Sequence, residues 1–252
     1  MNATQKIAVI SGATGYIGYE TAKKLAADGM RIAMLYYGLS KEDAIRMVSE
    51  LSGEGHNAYF CDISDENAVT QVIDRIEQEM GHLYACIHAA GTLPKPKQLH
   101  LSSPADLDEQ FKVNIFGTFN FLSSCARRLK EHKDGVIIGI TTAGVVTPIN
   151  TKARGAYSVL KFALQGMLVA LKEELSSFGI RVYSIAPGVL PGGLNRDTPK
   201  AFLEITRSTS PTKTLAAAED VAEKISSLCL ETANGISEFT FLIAPETGIM
   251  PK

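Results

Sequence analysis

The sequence has few cysteines and no tryptophan, and its cysteines exclude a disulfide framework. Among its 252 residues are four cysteines, with no two at CxxC spacing. The five histidines form neither an HExxH nor an HxxxH pattern, so the sequence predicts no metal site. Scattered thiols are typical of proteins in a reducing compartment. We therefore expect a cytoplasmic location.

Neither sign of charge is in excess, and no hydrophobic run is long. There are 25 Lys+Arg against 27 Asp+Glu, a formal net charge of −2 at pH 7. This balance provides no electrostatic footprint for nucleic acid or an anionic membrane. The longest apolar runs, such as Val136–Ile140, are far shorter than the ~20 residues that span a bilayer. Met1–Ile10 lacks the features of a signal peptide. We predict a protein that binds neither nucleic acid nor membrane.

Short apolar runs alternate with helical patterns along the whole chain, which is 45% hydrophobic and 21% charged, as in globular proteins. The predicted strands are 7–10, 31–36, 58–60, 83–88, 136–141, 181–186 and 239–243, and the predicted helices are 17–28, 41–52, 65–80, 104–130, 155–178 and 218–231. Strands that are apolar throughout are typical of sheets covered by helices on both faces. The alternation predicts one α/β domain over residues 1–252, a doubly wound parallel sheet of about seven strands.

One long irregular stretch interrupts this alternation. Residues 189–213 contain Pro191, Pro199 and Pro211. A loop of this length inside a domain is typical of a lid over a binding site. Its apolar side chains and its local net charge of +2, from four basic and two acidic residues, suit an acyl or acidic carbonyl substrate. We predict a substrate lid over 189–213.

A glycine-rich turn follows the first predicted strand. Gly12, Gly15 and Gly18 fall three residues apart and lead into the first helix. Glycines there let the backbone approach a pyrophosphate, and the N–H groups of the helix start hold the anion. A tight turn from strand to helix needs glycine even without a ligand. The position after the first strand of a parallel sheet favours a dinucleotide site.

The end of the second strand lacks the acidic residue that NAD-binding sheets usually carry. Residues 34–38 read Met-Leu-Tyr-Tyr-Gly, and the next carboxylate is Glu42. Such an acid accepts a hydrogen bond from the ribose 2′-OH. Its absence removes repulsion against a 2′-phosphate, which Lys41 could reach. The sequence favours NADP over NAD, with the alternative that Lys41 only begins a solvated helix face.

The pattern YxxxK occurs three times, at Tyr19/Lys23, Tyr37/Lys41 and Tyr157/Lys161. On a helix, residues four apart share one face. An ammonium beside a phenol lowers the pKa of the phenol, which can then exchange a proton with a carbonyl oxygen. The pattern is common by chance, so the position of each pair among the predicted strands must decide which one is the catalytic candidate. Only the third pair follows the fifth strand at the edge where open α/β sheets bind ligands.

Several landmarks, taken in order, give the chain a family resemblance. They are the turn at 11–18, Asp62, the run His88-Ala89-Ala90-Gly91, Asn114, Thr141-Thr142, Tyr157/Lys161 and Pro187-Gly188. Together they resemble the single-domain short-chain dehydrogenases/reductases over nearly the whole chain, including 3-oxoacyl-carrier-protein reductases. The resemblance implies a Rossmann-like fold and a nicotinamide cofactor.

The resemblance also implies roles for individual residues. Tyr157 would be the general acid/base, and Lys161 would hold the nicotinamide ribose and tune Tyr157. Asn114 would bind a water that relays protons to Lys161, and Thr142 would replace the usual serine that binds the substrate oxygen. The further cofactor contacts implied are Gly12, Thr14, Gly15, Tyr16, Ile17, Gly18, Tyr36, Asp62, Ile63, Ala89, Ala90, Gly91, Pro187 and Gly188.

Four features depart from the family pattern. Thr142 replaces serine, Tyr16 stands where glycine is usual, and His88 stands where asparagine is common. The segment after Pro187-Gly188 lacks the usual threonine. We interpret His88 as a buried structural residue. Thr142, Tyr16 and His88 nevertheless keep open the hypothesis of a dinucleotide-binding regulator or scaffold with a weakened site. An epimerase or dehydratase of the same fold is a further alternative.

The leading hypothesis is an NADP(H)-dependent ketoreductase of the 3-oxoacyl type. A basic run at 127–133 resembles the region where such reductases meet an acyl carrier, with favourable charge at a helix C-terminus as the alternative. The helix at 155–178 has more apolar surface than one core-facing stripe requires. This surplus predicts a homotetramer or homodimer.

Overall fold

Seven parallel strands form one sheet in the order β3-β2-β1-β4-β5-β6-β7. The computed structural model describes residues 5–95, 97–146, 155–209, 213–230 and 237–243. The strands are β1 (Ile7–Ser11), β2 (Arg31–Tyr36), β3 (Asn57–Phe60), β4 (Leu83–His88), β5 (Gly135–Ile140), β6 (Ile180–Pro187) and β7 (Thr240–Ile243). The helices are α1 (Tyr16–Ala27), α2 (Lys41–Ser49), α3 (Glu66–Met80), α4 (Ala105–Phe111), α5 (Thr118–His132), α6 (Gly155–Leu175), α7 (Lys200–Thr209) and α8 (Ala218–Leu230). The predicted doubly wound fold is confirmed.

Two hydrophobic cores lie on opposite faces of this sheet. Successive residues of a strand point to opposite faces, so Val9 of β1 joins the core packed under α3, α5 and α6. Its neighbour Ile10 joins the core packed under α1 and α8. Burial of one such side chain contributes roughly 1.5–3 kcal/mol. This two-sided burial explains why the strands read as unbroken apolar runs.

The strand order reverses between β1 and β4. β1 pairs with β2 on one side and with β4 on the other, so the chain leaves these two central strands toward opposite faces. A crevice opens beyond the carboxyl ends of strands at such a point. Ser11, His88, Ile140 and Pro187, which end β1, β4, β5 and β6, therefore bring the segments that follow them to one edge.

The predicted helix over 104–130 is not continuous. A π-helical turn over Lys112–Gly117 joins α4 to α5. The buried Thr118 hydroxyl donates to the carbonyl of Asn114 (2.7 Å), so a side chain satisfies a carbonyl in the widened turn. π-helical turns inside α-helices are frequent at functional sites. Hydrophobic periodicity does not distinguish such a turn from ordinary helix.

The predicted irregular stretch contains a helix. α7 begins directly after Pro199, whose carbonyl accepts from the N–H groups of Phe202 and Leu203 (2.9 and 3.2 Å). The prolines that suggested an irregular loop flank this helix, and proline is well tolerated just before a helix starts. Residues 210–212 of the predicted lid, and residue 231 of the last predicted helix, lie outside the described residues.

Two expectations from composition can be compared with the structure. All four cysteines are buried and free. None of the described helices combines the length and apolar character needed to cross a bilayer.

Candidate active site

The glycine turn brings backbone against backbone. Gly12 adopts φ +67°, and a Cβ there would lie 2.6 Å from the backbone of Ala90 at the end of β4. A Cβ on Gly18 would overlap the carbonyl oxygen of Gly12, whereas one on Gly15 would lie 3.2 Å from that same atom. Gly12 and Gly18 are therefore required by packing, while Gly15 leaves some space.

The start of α1 is open to an anion. Its N-cap residue, Gly15, makes no side-chain capping bond, and the first turn contains no acidic residue. By contrast, Ser40 and Asp65 cap α2 and α3, and both helices carry acids in their first turns. An uncapped helix start offers N–H donors and a partial positive charge. At the same turn, Thr14 and Ile17 are half-buried.

Tyr16 packs against the beginning of the predicted lid. A Cβ on Gly192 would lie 2.9 Å from the Tyr16 ring, and one on Gly193, at φ +62°, would lie 2.8 Å from the Tyr16 Cβ. Partial burial, with the charges of Glu219 and Glu20, raises the pKa of Tyr16. The predicted lid segment therefore starts directly against the glycine turn, a contact that the sequence did not predict.

Three aromatic rings lie where β2 and β3 end. Tyr36 is buried, and its ring meets that of Phe60 edge-on at 5.7 Å. Tyr37 lies 5.8 Å from Phe60, and both are about three-fifths exposed, at 62% and 61%. Lys41, at the start of α2, is exposed. The sequence analysis missed Phe60, although a large aromatic ending a strand at the ligand edge was an available signal.

Asp62 and Ile63 are fixed in the turn that precedes α3. One Asp62 carboxylate oxygen accepts from the N–H and the hydroxyl of Ser64 (2.9 and 2.7 Å). Ile63 is buried, and its carbonyl accepts from the side-chain amide of Asn120 in α5 (3.1 Å). The turn is thus anchored to the core at the same edge of the sheet as the glycine turn.

Asn114 is held against the segment that follows β4. Its side-chain oxygen accepts from the N–H of Thr92 (3.0 Å), and its amide donates to the Thr92 hydroxyl (2.9 Å) and to Gln110. A Cβ on Gly91 would lie 2.9 Å from that oxygen. Ala89, whose N–H donates to Ser11 (3.1 Å), continues β4 toward this contact. Thr92 and Gln110 are further residues that the sequence analysis missed.

His88 is a buried structural residue, as the sequence analysis interpreted it. Its Nδ1 lies 2.8 Å from the Ser11 hydroxyl and its Nε2 lies 3.0 Å from the Thr118 hydroxyl. Since Thr118 gives its own proton to Asn114, it accepts from His88 Nε2, and Ser11 then donates to Nδ1. Burial, assisted by the charge of Lys161, lowers the pKa of His88 to about 3.

The two threonines after β5 differ in their surroundings. Thr141 is buried, and its hydroxyl donates to the carbonyl of Ile185 (3.0 Å) beside Ser184. Thr142 is half-buried at the start of a short 3₁₀ turn and makes no capping bond through its side chain. Of the two hydroxyls, that of Thr141 is therefore already paired within the core.

Lys161 distinguishes the third Tyr–Lys pair from the other two. Lys161 is buried, and its Nζ lies 5.9 Å from the ring centre of Tyr157. The same Nζ donates to the carbonyl of Ile140 (2.7 Å). Burial lowers the pKa of Lys161 to about 8. Within the described ranges no carboxylate pairs with it. Lys23, by contrast, forms an exposed ion pair with Glu20.

The end of β6 completes this edge of the sheet. Pro187 is buried, and the N–H of Gly188 donates to the carbonyl of Ile243 at the end of β7 (2.9 Å). The predicted lid segment begins immediately afterwards, so the same edge carries the glycine turn, the end of β4, Thr142, Lys161 and the start of that segment.

Comparison with known proteins identifies the family. Residues 12–242 match the model of the family described as Enoyl-(Acyl carrier protein) reductase. The chain belongs to this family, within the short-chain dehydrogenases/reductases. The resemblance drawn from the sequence is confirmed, and the chain is a member of a family of oxidoreductases.

Individual relatives are distant but cover most of the chain. The 2,3-dihydro-2,3-dihydroxybenzoate dehydrogenase of Bacillus subtilis is 29% identical over 232 residues, which is 87% of both chains. A 3-oxoacyl-[acyl-carrier-protein] reductase of Staphylococcus aureus is 24% identical over 234 residues, which is 92% of this chain and 94% of that protein.

Solved structures share the fold. A 3-ketoacyl-(acyl-carrier-protein) reductase from Brucella melitensis complexed with NADH superposes with a TM-score of 0.86 at 24% identity, covering 98% of this chain and 100% of that one. ElxO with NADP bound gives a TM-score of 0.85 at 22% identity, covering 95% and 97%.

Substitutions in the glycine turn test the backbone packing. We expect Gly18→Ala to lower the free energy of unfolding by about 3 kcal/mol or more, because the added methyl overlaps backbone. Gly15→Ala should cost about 1 kcal/mol or less. Urea unfolding of both variants measures the difference, and equal losses would contradict the packing argument.

His88 should make stability depend on pH. Its pKa of about 3 in the folded protein lies below the ordinary value of ~6.5, so protons bind the unfolded chain preferentially between these values. Stability from this group is complete above pH 6.5 and falls by up to about 1.4 kcal/mol per pH unit toward pH 3.

Comparison with His88→Asn isolates this effect. At pH 7.5 the variant should be less stable by about 1–3 kcal/mol, because it leaves a buried hydroxyl unpaired. The gap should narrow as the pH falls, since only the wild type loses stability through this side chain. A gap that stays constant from pH 7.5 to 4.5, measured by urea unfolding, would show that His88 does not titrate as described.

Proposed function

We propose that the protein transfers a hydride between NADP(H) and a carbonyl/alcohol substrate, with Tyr157 as the general acid/base. The observation that carries this proposal is Lys161, a buried lysine beside Tyr157 with no carboxylate partner among the described residues. A buried, unneutralised ammonium favours the ionised form of a neighbouring phenol. Keeping such a charge in the interior is costly, and this chemistry gives it a role.

The residues at the edge fit a dinucleotide. The turn formed by Gly12, Gly15 and Gly18 lets backbone approach a pyrophosphate, and the uncapped start of α1 supplies its donors. Tyr36, Asp62 and Ile63 would border the adenosine. Ala89, Ala90, Gly91, Pro187 and Gly188 would line the middle of the cofactor and the nicotinamide.

Each of the proposed catalytic residues would have its own part in the proton transfer. When bound, the nicotinamide supplies or accepts the hydride. Tyr157 would donate its phenolic proton to the carbonyl oxygen during reduction and recover it in the reverse direction. Lys161 would stabilise the phenolate and hold the ribose. Thr142 would donate a hydrogen bond to the substrate oxygen, and Asn114 would bind the water that relays protons to Lys161.

The preference for NADP rests on the end of β2. No carboxylate lies between Tyr36 and Lys41, so nothing on this segment repels a 2′-phosphate. Lys41 is exposed at the start of α2 and provides a positive charge. The nearby carboxylate of Asp43 is already bonded to Ser40 and Arg46. We therefore propose NADP as the preferred cofactor, with NAD as the alternative.

The lid favours an acyl-type carbonyl substrate. Leu194, Phe202 and Ile205 are each about half exposed or more and give it an apolar surface. Arg207 pairs with Glu204, so this arginine does not contribute free charge. The net charge of +2 would attract an acidic group on the substrate. We propose a 3-oxoacyl type of substrate, presented either as a small thioester or on an acyl carrier.

The basic run on α5 contributes less to a carrier surface than its sequence indicates. Arg128 contacts Asp74, Glu77 and Glu131. Its guanidinium is therefore committed to carboxylates of its own chain. Lys130 lies over the ring of Phe178 at 4.4 Å. This pairing favours the alternative interpretation, in which the run stabilises the end of a helix.

Self-association is proposed through the π-helical turn, α5 and α6. Large apolar side chains remain exposed on these three elements: Phe116, Phe119, Val159, Phe162 and Val169. The last three lie on one stripe of α6, at spacings of three and seven. An exposed apolar patch of this kind marks an interaction surface, and a second copy of the chain offers the same patch.

Tyr157→Phe tests the proposed reaction. The wild type should reduce acetoacetyl-coenzyme A with NADPH, and the variant should lose about 100-fold or more in kcat, since it has no proton to transfer. NADPH binding, measured by calorimetry, should change far less and should be tighter than NADH binding in the wild type. Tyr19→Phe is the matched control: it lies in another YxxxK pattern, and its hydroxyl contacts only Met47 and Glu50 among the described residues.

The outcomes separate the alternatives. NADPH binding without reduction of any carbonyl in a panel would favour a regulator or scaffold. Turnover without net oxidation of NADPH would favour an epimerase or dehydratase. Failure of both cofactors to bind at millimolar concentration would overturn the dinucleotide site.

Phe162→Glu tests the oligomer. A buried carboxylate in the interface should shift the protein toward monomer in sedimentation-equilibrium measurements at equal concentration. Ile45→Glu, at a residue of α2 with similar exposure (53% against 54%), should leave the assembly unchanged. A wild-type monomer, or equal effects of both variants, would contradict this surface.

A further inference from the structure

Two histidines and a glutamate meet at the edge of the sheet opposite the active site. Glu77 lies in the last turn of α3, His82 directly precedes β4, and His132 ends α5. The Nε2 of His132 lies 2.7 Å from a carboxylate oxygen of Glu77. The two imidazole rings are 3.9 Å apart between centres. One donor atom from each of the three side chains lies within 4.8 Å of the others.

The glutamate is already oriented. Its oxygen toward His132 also accepts from the N–H of Leu83 (3.1 Å), which fixes the direction of the carboxylate. The side chains of Glu77 and His132 are 14% and 19% exposed, whereas His82 is exposed. Two donors are thus held in place by the fold, and the third is free to rotate toward them. Hydrogen bonds to a ligating carboxylate are typical of metal sites.

The surrounding charges favour a cation. α3 and α5 both end here, so the negative ends of two helix dipoles converge. Arg128 lies 3.6 Å from Glu77, but Asp74 and Glu131 also contact it. These three carboxylates outnumber the one guanidinium by two charges. Arg31 donates to the carbonyl of Met80 at the end of α3 (2.9 Å), and Lys133 directly follows His132, so both are further cations of this region.

We propose that Glu77, His82 and His132 bind a divalent zinc ion. Two imidazole nitrogens and one carboxylate oxygen form a ligand set that suits Zn²⁺, with water as the fourth ligand. Zinc–ligand distances of ~2.0–2.2 Å place tetrahedral donors ~3.3 Å apart, which small rotations of these side chains achieve. His132 would bind through Nε2 and carry its proton on Nδ1. The ion would join the ends of α3 and α5, away from the proposed catalytic residues.

The spacing of these three residues along the sequence does not indicate a metal site. Glu77 and His82 are five residues apart, and His132 lies on a different helix, so neither HExxH nor HxxxH spacing occurs. The expectation of no metal site rested on local patterns alone. The fold brings the three residues together from two helices and one loop.

Zinc titration of the full chain without a histidine tag tests the proposal. Isothermal calorimetry should show one zinc ion per chain, and zinc should raise the melting temperature unless EDTA is added. His132→Ala and His82→Ala should each weaken zinc binding by more than about tenfold, the loss that even an outer-shell partner causes. His100→Ala, at an exposed histidine outside the cluster, should bind zinc as the wild type does.

Cobalt provides an independent readout. Co²⁺ bound in place of zinc should give visible absorption typical of a four-coordinate site, and the absorption should disappear in His82→Ala. That variant changes an exposed side chain, so it is expected to fold. The absence of zinc binding at 100 μM (about 5.5 kcal/mol) would overturn the proposal. Equal binding by the wild type and the His82→Ala, His132→Ala double variant would do the same.

Discussion

The glycine turn after β1 packs backbone to backbone against the segment that follows β4. The rest of the candidate active-site edge depends on this contact. No side chain fits between Gly12 and Ala90, or between Gly12 and Gly18. The turn therefore begins α1 beside the end of β4. Any larger residue would move the helix start away from the strand. The close backbone approach that is proposed to admit a pyrophosphate is thus required by the fold itself.

A line of hydrogen bonds extends this contact toward the proposed catalytic residues. It runs from Ser11 through His88 to Thr118, and from Thr118 to the carbonyl of Asn114. This line ties β1 and β4 to the π-helical turn. Because burial keeps His88 neutral at physiological pH, it adds no second positive charge near Lys161. The buried ammonium of Lys161 is therefore the charge proposed to favour the ionised form of the neighbouring phenol.

The sequence predicted the elements that depend on local pattern. All seven strands were found within one or two residues of the predicted positions, since burial on both faces requires continuous apolar runs. The π-helical turn was missed because its side-chain periodicity resembles that of a helix. α7 was missed because Pro199 and Pro211 were interpreted as a loop composition, although proline outside a helix end is compatible with the helix.

The candidate site, like the fold, could be predicted from the sequence only in part. Motif residues such as Tyr157 and Lys161 stand in a fixed order along the chain, so a family pattern can indicate them. Contacts between distant segments have no such signature. Phe60 beside Tyr37, Thr92 beside Asn114 and the cluster around Glu77 depend on the packing of elements far apart in sequence. Only the folded arrangement reveals them.

Two of the departures from the family pattern lie in segments that pack against each other. Tyr16 stands where glycine is usual, and Gly192 and Gly193 lie in the segment that lacks the usual threonine. A Cβ on Gly193, at φ +62°, would lie 2.8 Å from the Tyr16 Cβ, so a glycine lies where the larger residue of the turn packs against the predicted lid segment. A large side chain in the turn with a glycine opposite it keeps the packing close without overlap. Tyr16 is therefore accommodated by the local packing, and Thr142 remains as a departure at the proposed catalytic centre.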